Sequence, residues 1–142
     1  MGPLGMTRFW GAGLVLSAAI AAAMLHPGAA LALMPPYVYQ TARDDAASVI
    51  VIAVEAVKAP KRVFGNCTVD GTVAKVERGT TYQPGQKVSL EVPCATPDAY
   101  PPIGGTIYQN LPDLKASKFG RAYLDAAGKV VLSQYEQLAA VP

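Results

Sequence analysis

The clearest pattern in the chain is the run Ser-Val-Ile-Val-Ile-Ala-Val-Glu-Ala-Val at 48–57, β-branched and apolar at consecutive positions. Alternation would leave one face polar; here both faces are apolar, which predicts a strand buried on two sides. Glu55 is the odd residue in it, and it marks the point where the strand reaches solvent. Residues 86–94 read differently. Val88, Leu90, Val92 and Cys94 alternate with Ser89, Glu91 and Pro93, the pattern of a half-buried strand. Residues 67–78 form its partner, with Cys67, Val69, Gly71 and Val73 on one face. Placing Cys67 opposite Cys94 aligns Val69 with Val92, Gly71 with Leu90 and Val73 with Val88. The turn then falls between Thr80 and Thr81, inside the loop-forming stretch 79–85.

Downstream, 95–105 is a proline-glycine loop and 106–109 predicts a short strand. Asn110 supplies an N-cap and Pro112 an early proline for one or two helical turns over 110–118, carrying Leu111 and Leu114. Residues 120–125 and 129–138 read as two strands joined by a hairpin at Asp125-Ala-Ala-Gly128. Upstream, Met-Pro-Pro-Tyr-Val-Tyr opens a segment over 33–46 that proline's backbone restriction predicts to be an extended arm. The prediction is therefore a mainly β domain over 47–142. Apart from the short stretch at 106–109, it has five strands with a short helix between the third and fourth, the order of a small OB-like barrel.

The first 32 residues are of another kind. From Met6, the natural start on this reading, a single Arg8 precedes an uncharged stretch at 9–25, then Pro27-Gly28, then Ala30-Leu31-Ala32. A short positive region, an apolar core and small residues at −3 and −1 specify a secretory signal peptide, with Ala30 and Ala32 at the cleavage site and Leu33 as the new N-terminus. An uncleaved anchor is the alternative, since the apolar stretch approaches the roughly 20 residues that span a bilayer. Export to the periplasm or the outside then explains the cysteines. Cys67 and Cys94 are an even pair in an oxidising compartment, which predicts one disulfide.

Composition narrows the chemistry. The 142 residues carry 12 Lys+Arg against 10 Asp+Glu; with Arg8 removed the balance is 11 against 10, net +1, which argues against a dedicated nucleic-acid binder. The one histidine, His26, lies in the leader, so the mature chain lacks the usual general base near neutral pH and any Ser-His-Asp or Cys-His site. Two thiols without histidine cannot fill a structural zinc site, and no motif calls for a metal or cofactor. Ten carboxylates remain, and their spacing selects no glycosidase-type pair.

Four segments also resemble the netrin-like (tissue-inhibitor-of-metalloproteinase-like) branch of the OB fold. They are Ala-Ser-Val-Ile-Val-Ile-Ala-Val at 47–54, Gly-Thr-Val-Ala-Lys-Val-Glu-Arg-Gly at 71–79, Gly-Gln-Lys-Val-Ser-Leu-Glu-Val-Pro-Cys at 85–94 and Gly-Arg-Ala-Tyr-Leu-Asp-Ala-Ala-Gly at 120–128. The resemblance implies a fold and protein binding. It does not carry over the metalloproteinase inhibitors' mechanism, which places an N-terminal cysteine on the target's zinc, because no cysteine precedes Cys67 here. OB-type binding uses the face of strands two and three with the loops after strands one and four. In this chain those are the outward positions of 67–78 and 86–94, with 58–66 and 125–128. Lys75, Arg78, Tyr82 and Lys87 are the candidate binding groups. The leading expectation is an exported, non-catalytic binding or envelope-interaction module, with a protein or envelope component as partner and the membrane met only during export. The alternative is a small carboxylate-dependent hydrolase acting on envelope sugars or peptides.

Overall fold

A computed structural model describes residues 34–142; the leader with its Ala30–Ala32 cleavage site and the new terminus at Leu33 lie outside the described residues. The elements are α1 (Pro36–Asp45), β1 (Ser48–Lys58), β2 (Phe64–Arg78), β3 (Lys87–Ala95), β4 (Gln109–Asn110), α2 (Leu111–Ala116), β5 (Phe119–Leu124) and β6 (Val130–Leu138). The strands make one sheet, ordered β4-β3-β2-β1-β5-β6, curled into a half-barrel. The chain is thus mainly β with a short helix, as its pattern predicts. There are six strands rather than five, because Gln109 and Asn110 form a further two-residue strand that pairs parallel with Cys94 and Ala95; the rest of 106–109 is not strand.

Strand β1 is central. Ser48 to Ile52 are all buried, and the strand pairs antiparallel with β2 on one edge and β5 on the other. Ile50 and Ile52 enter the main core with Cys67, Val69 and Val73 of β2, Leu90, Val92 and Cys94 of β3, Ala122 and Leu124 of β5, and Tyr135 of β6. Helix α2 adds Leu111 and Leu114, three apart and so on one helical face. It starts as its sequence predicts, with the Asn110 side chain accepting from the Asp113 amide at 3.2 Å.

Two expectations are corrected. The arm at 33–46 is not extended: residues 36–45 form α1. Prolines exclude a helix interior but suit its first turn, where the missing N–H has no helical partner anyway, and Pro36 stands there. None of its residues is fully buried. It is held by polar contacts one turn apart: the Tyr39 hydroxyl donates to the Gly105 carbonyl at 2.8 Å, and Arg43 donates to Gln134 Oε1 at 2.6 Å.

The second correction is the β2–β3 register. Cys67 lies opposite Val92, Val69 opposite Leu90 and Gly71 opposite Val88, two residues from the expected alignment. The cause is the strand period: a two-residue slip returns every side chain to the same face, so apolar patterning cannot tell the two registers apart. Cys94 is opposite Gly65, and the Cys67–Cys94 disulfide forms on the diagonal, with a Cα–Cα distance of 5.7 Å and both cysteines buried.

Strand β6 is irregular. Pairing moves from Leu124↔Val130 to Ala122↔Tyr135 across a bulge in which Leu132 (φ 40°) and Ser133 (φ 61°) both take left-handed backbone conformations. Beyond it, Tyr135 lies over Gly120, where a Cβ would run into its ring and hydroxyl. The Tyr135 hydroxyl has no hydrogen-bond partner among the described residues, and burial pushes its pKa up to about 12.

That group gives a signed prediction. The raised folded-state value means that Tyr135 contributes fully below the unfolded-state value of about 10, and that this contribution, about 3 kcal/mol, is lost as pH rises toward 12. Denaturant melts of wild type should weaken over that window. Tyr135→Phe should match or exceed wild type at pH 7 and show a smaller alkaline loss, while Gly120→Ala should cost about 1–3 kcal/mol through overpacking. The disulfide closes a separation of 27 residues, so a Cys67→Ala/Cys94→Ala variant should lose about 3–4 kcal/mol in the same melts.

Candidate functional site

Curling the sheet leaves its two edges facing each other with incomplete pairing. Strand β4 covers β3 only at Cys94 and Ala95. From there side chains, not a ladder, reach β6. Gln109 Nε2 donates to the Tyr135 carbonyl at 3.0 Å, Gln137 Nε2 to Gln109 Oε1 at 2.8 Å, and the Ile107 amide to Ser133 Oγ at 3.2 Å. Beside the rest of β3 the surface opens into a groove of about 670 Å³.

The groove is built from four places in the chain. Ser89, Glu91 and Pro93 are the positions of β3 that alternate with its buried residues. Asn66 of β2 stands opposite Pro93. Tyr108 comes from the loop before β4 and is held edge-on against Phe64, ring centroids 5.8 Å apart. Lys129, Val130 and Ser133 form the far wall. The β5–β6 hairpin presents that wall through its turn: Asp125 Oδ1 accepts from the amides of Ala127 (2.8 Å) and Lys129 (2.9 Å), and Gly128 takes the left-handed conformation (φ 81°) that closes it. Neither Glu91 nor Lys129 makes an ion pair with any described residue.

The four side chains foreseen as binding groups do not line this groove. Lys75 donates to the Pro142 carbonyl at 2.9 Å. Arg78 donates to the carbonyls of Arg43 (2.7 Å), Asp44 (3.1 Å) and Ala46 (3.2 Å), and so closes the C-terminal end of α1, where a cation meets the negative end of the helix. Lys87 pairs with Glu55, which also accepts from the Thr72 hydroxyl at 2.6 Å; the two bonds hold the Glu55 carboxyl below its ordinary range. Tyr82 packs against the core with its hydroxyl beneath Gly128, propping the hairpin. The segments singled out with them fare otherwise. Gly65 and Asn66 from 58–66, Ser89, Glu91 and Pro93 from 86–94 and Gly128 from 125–128 all line the groove. Sequence reasoning missed Lys129 and Ser133. Ser133 is aimed by the β6 bulge, and no turn residue in the sequence announces that bulge.

The remaining ion pairs are structural. Arg121 on β5 bridges Glu77 of β2 (2.5 Å) and Glu136 of β6 (2.7 Å), tying three strands together. The guanidinium lowers the Glu77 carboxyl and is itself raised by both partners. Asp70 is lowered by the Ser89 hydroxyl opposite and by Lys58 at 3.1 Å. Among the described residues no three His, Cys, Asp or Glu side chains are grouped to hold a metal ion. Comparison of the chain with protein-family models, curated proteins and solved structures finds no match in any of the three.

Because Arg78 closes α1 from the outside, Arg78→Ala should loosen that helix selectively. Hydrogen exchange of the α1 amides should speed up by about tenfold, equivalent to about 1.4 kcal/mol, with β1 and β2 protected as before. Equal acceleration throughout the sheet would contradict this role.

Proposed function

We propose that the mature chain is an exported, non-catalytic binding module of OB type, which holds a protein or envelope component in the groove between β3 and the β5–β6 hairpin. The observation that carries the reading is the groove. It is preformed, and it offers one aromatic ring, one carboxylate and one ammonium group free of internal ion pairs, the mixture that recognition sites use. Its position agrees with the strand-and-loop surface on which OB-type domains take ligands, and the element order with one helix before the last hairpin supports the same fold type. A buried disulfide is compatible with an oxidising compartment and supports export.

Four of the carboxylates suit structural roles better than hydrolysis. Glu55, Asp70, Glu77 and Asp98 have their carboxyls lowered by hydrogen bonds and, for the first three, by neighbouring cations. A general acid needs displacement upward.

The test is site-directed photocrosslinking in the native host's envelope, with a benzophenone amino acid in place of Tyr108 in one variant and of Lys115, on the exposed side of α2, in another. A discrete adduct from position 108 and none from 115 is the expected result. Adducts from neither position, or equally from both, would overturn the groove as the site. Intact-mass analysis of the same material should give an N-terminus at Leu33; a retained leader would overturn export.

A further inference from the structure

The β2–β3 ladder fixes which way each backbone group of β3 points. Val73 donates its amide to the Gln86 carbonyl at 2.8 Å and its own carbonyl accepts from the Gly85 amide at 2.7 Å, so both backbone groups of Val73 face β3. The register Gly71↔Val88, Val69↔Leu90 and Cys67↔Val92 continues this orientation at two-residue steps. The amides and carbonyls of Val88, Leu90 and Val92 therefore face β2, and those of Ser89 and Glu91 face the opposite, open edge. Pro93 fits the same parity. Its missing N–H falls on the edge side, where it removes nothing from the ladder. Strand β4 covers only the end of that edge, at Cys94 and Ala95. The stretch from Lys87 to Glu91 has no strand beside it among the described residues, and its edge borders the groove that Ser89 and Glu91 line.

We infer that the groove takes an extended polypeptide segment, which adds as a strand to the free edge of β3. The inference rests on the groove being the binding site and names the class of ligand. Edge amides and carbonyls at Ser89 and Glu91 recur every second residue, about 7 Å apart, the repeat of a neighbouring strand. The chain shows the mode itself, since β4 joins the same edge through backbone pairing. A guest strand extends the sheet along the line that β4 begins. The walls choose the occupant. The edge borders a groove of about 670 Å³ lined by Tyr108, Lys129 and Ser133, a volume on the scale of a short peptide segment and not of a folded domain. A second copy of the chain presents its own free β3 edge only from within the same groove, beside Tyr108 and Lys129, so two folded copies cannot bring these edges together as readily as a peptide can enter. Opposite charges at Glu91 and Lys129 suit a peptide with mixed side chains, and the Glu91 carboxylate repels a polyphosphate backbone.

The experiment pans a displayed library of random peptides of about ten residues against the disulfide-bonded domain, then titrates one synthetic enriched peptide by calorimetry. Glu91→Pro deletes an edge amide without touching the β2 ladder, and should weaken binding by at least about tenfold. Glu91→Gln keeps the amide and should bind within a few-fold of wild type. In a second arm the peptide is N-methylated one residue at a time. Losses at every other residue are expected, and this arm does not depend on any protein variant folding. Enriched peptides that tolerate N-methylation at every position would overturn strand addition. So would an unenriched library, or a concentration-dependent dimer that Glu91→Pro abolishes, which would make the occupant a second copy. If a non-peptide adduct still forms at position 108, the groove stands and only the ligand class falls; peptides that bind with Tyr108→Ala and Lys129→Glu unaffected would remove the groove as well.

Discussion

The fold depends on β1 having strands on both edges. Five consecutive buried residues, Ser48 to Ile52, place its backbone out of reach of water, so its amides and carbonyls must be met by neighbouring strands. β2 and β5 meet them. The β1–β2 register shifts at three places, between Val49 and Ile50, Val51 and Ile52, and Val54 and Ala56. Each irregularity adds local twist and bend. A fifteen-residue β2 paired to such a strand curls with it, carrying β3 around toward β6. The groove is the residue of that geometry: the sheet bends far enough to bring its edges near each other, while only the short β4 and a few side chains span the gap.

Much of this was legible in the chain. The two-sided burial of β1, the half-buried β3, the capped α2, the final hairpin and the disulfide follow from apolar period, cap chemistry and cysteine parity, all local signals. What failed was of another kind. The two-residue register error left every apolar contact on its proper face, so only hydrogen bonds at the turn, from Val73 and Gly85, decide between the alignments. α1 failed because Pro35 and Pro36 read equally as an arm or a helix entry, and the choice falls to distant partners, Gly105, Gln134 and Arg78. The groove proposed as the site was legible by segment and not by side chain. Some of the loops and outward strand positions named from the sequence border the groove, whereas Lys75, Arg78 and Lys87, chosen for their charge, make contacts within the fold.

That division has a physical cause. The cations that lie near partners are drawn into the fold: Arg121, Lys87, Lys58 and Arg78 each secure a carboxylate or a helix end. Exposed pairs of this sort contribute little stability individually. Those of Arg121 and Arg78 have a geometric effect instead: they fix β2 against β5 and β6, and α1 against the sheet. On the proposed reading, recognition falls to groups the fold does not consume, the backbone of an unpaired edge and the few side chains around it.

The wall opposite that edge is held in place at some cost. Left-handed conformations at Leu132 and Ser133 are each unfavourable by about 1–2 kcal/mol for residues with a Cβ. The contacts that the bulge makes possible offset this. Gln134 turns inward, donates to the Leu132 carbonyl at 2.9 Å and accepts from Arg43 of α1, while Ser133 receives the Ile107 amide one residue before Tyr108. Arg78 in turn closes the end of α1 from β2. A continuous path of hydrogen bonds thus runs from Arg78 through α1 and the bulge to the loop that carries Tyr108. Arg78 stands outside the groove, yet it anchors the helix on which the position of the groove's far wall depends.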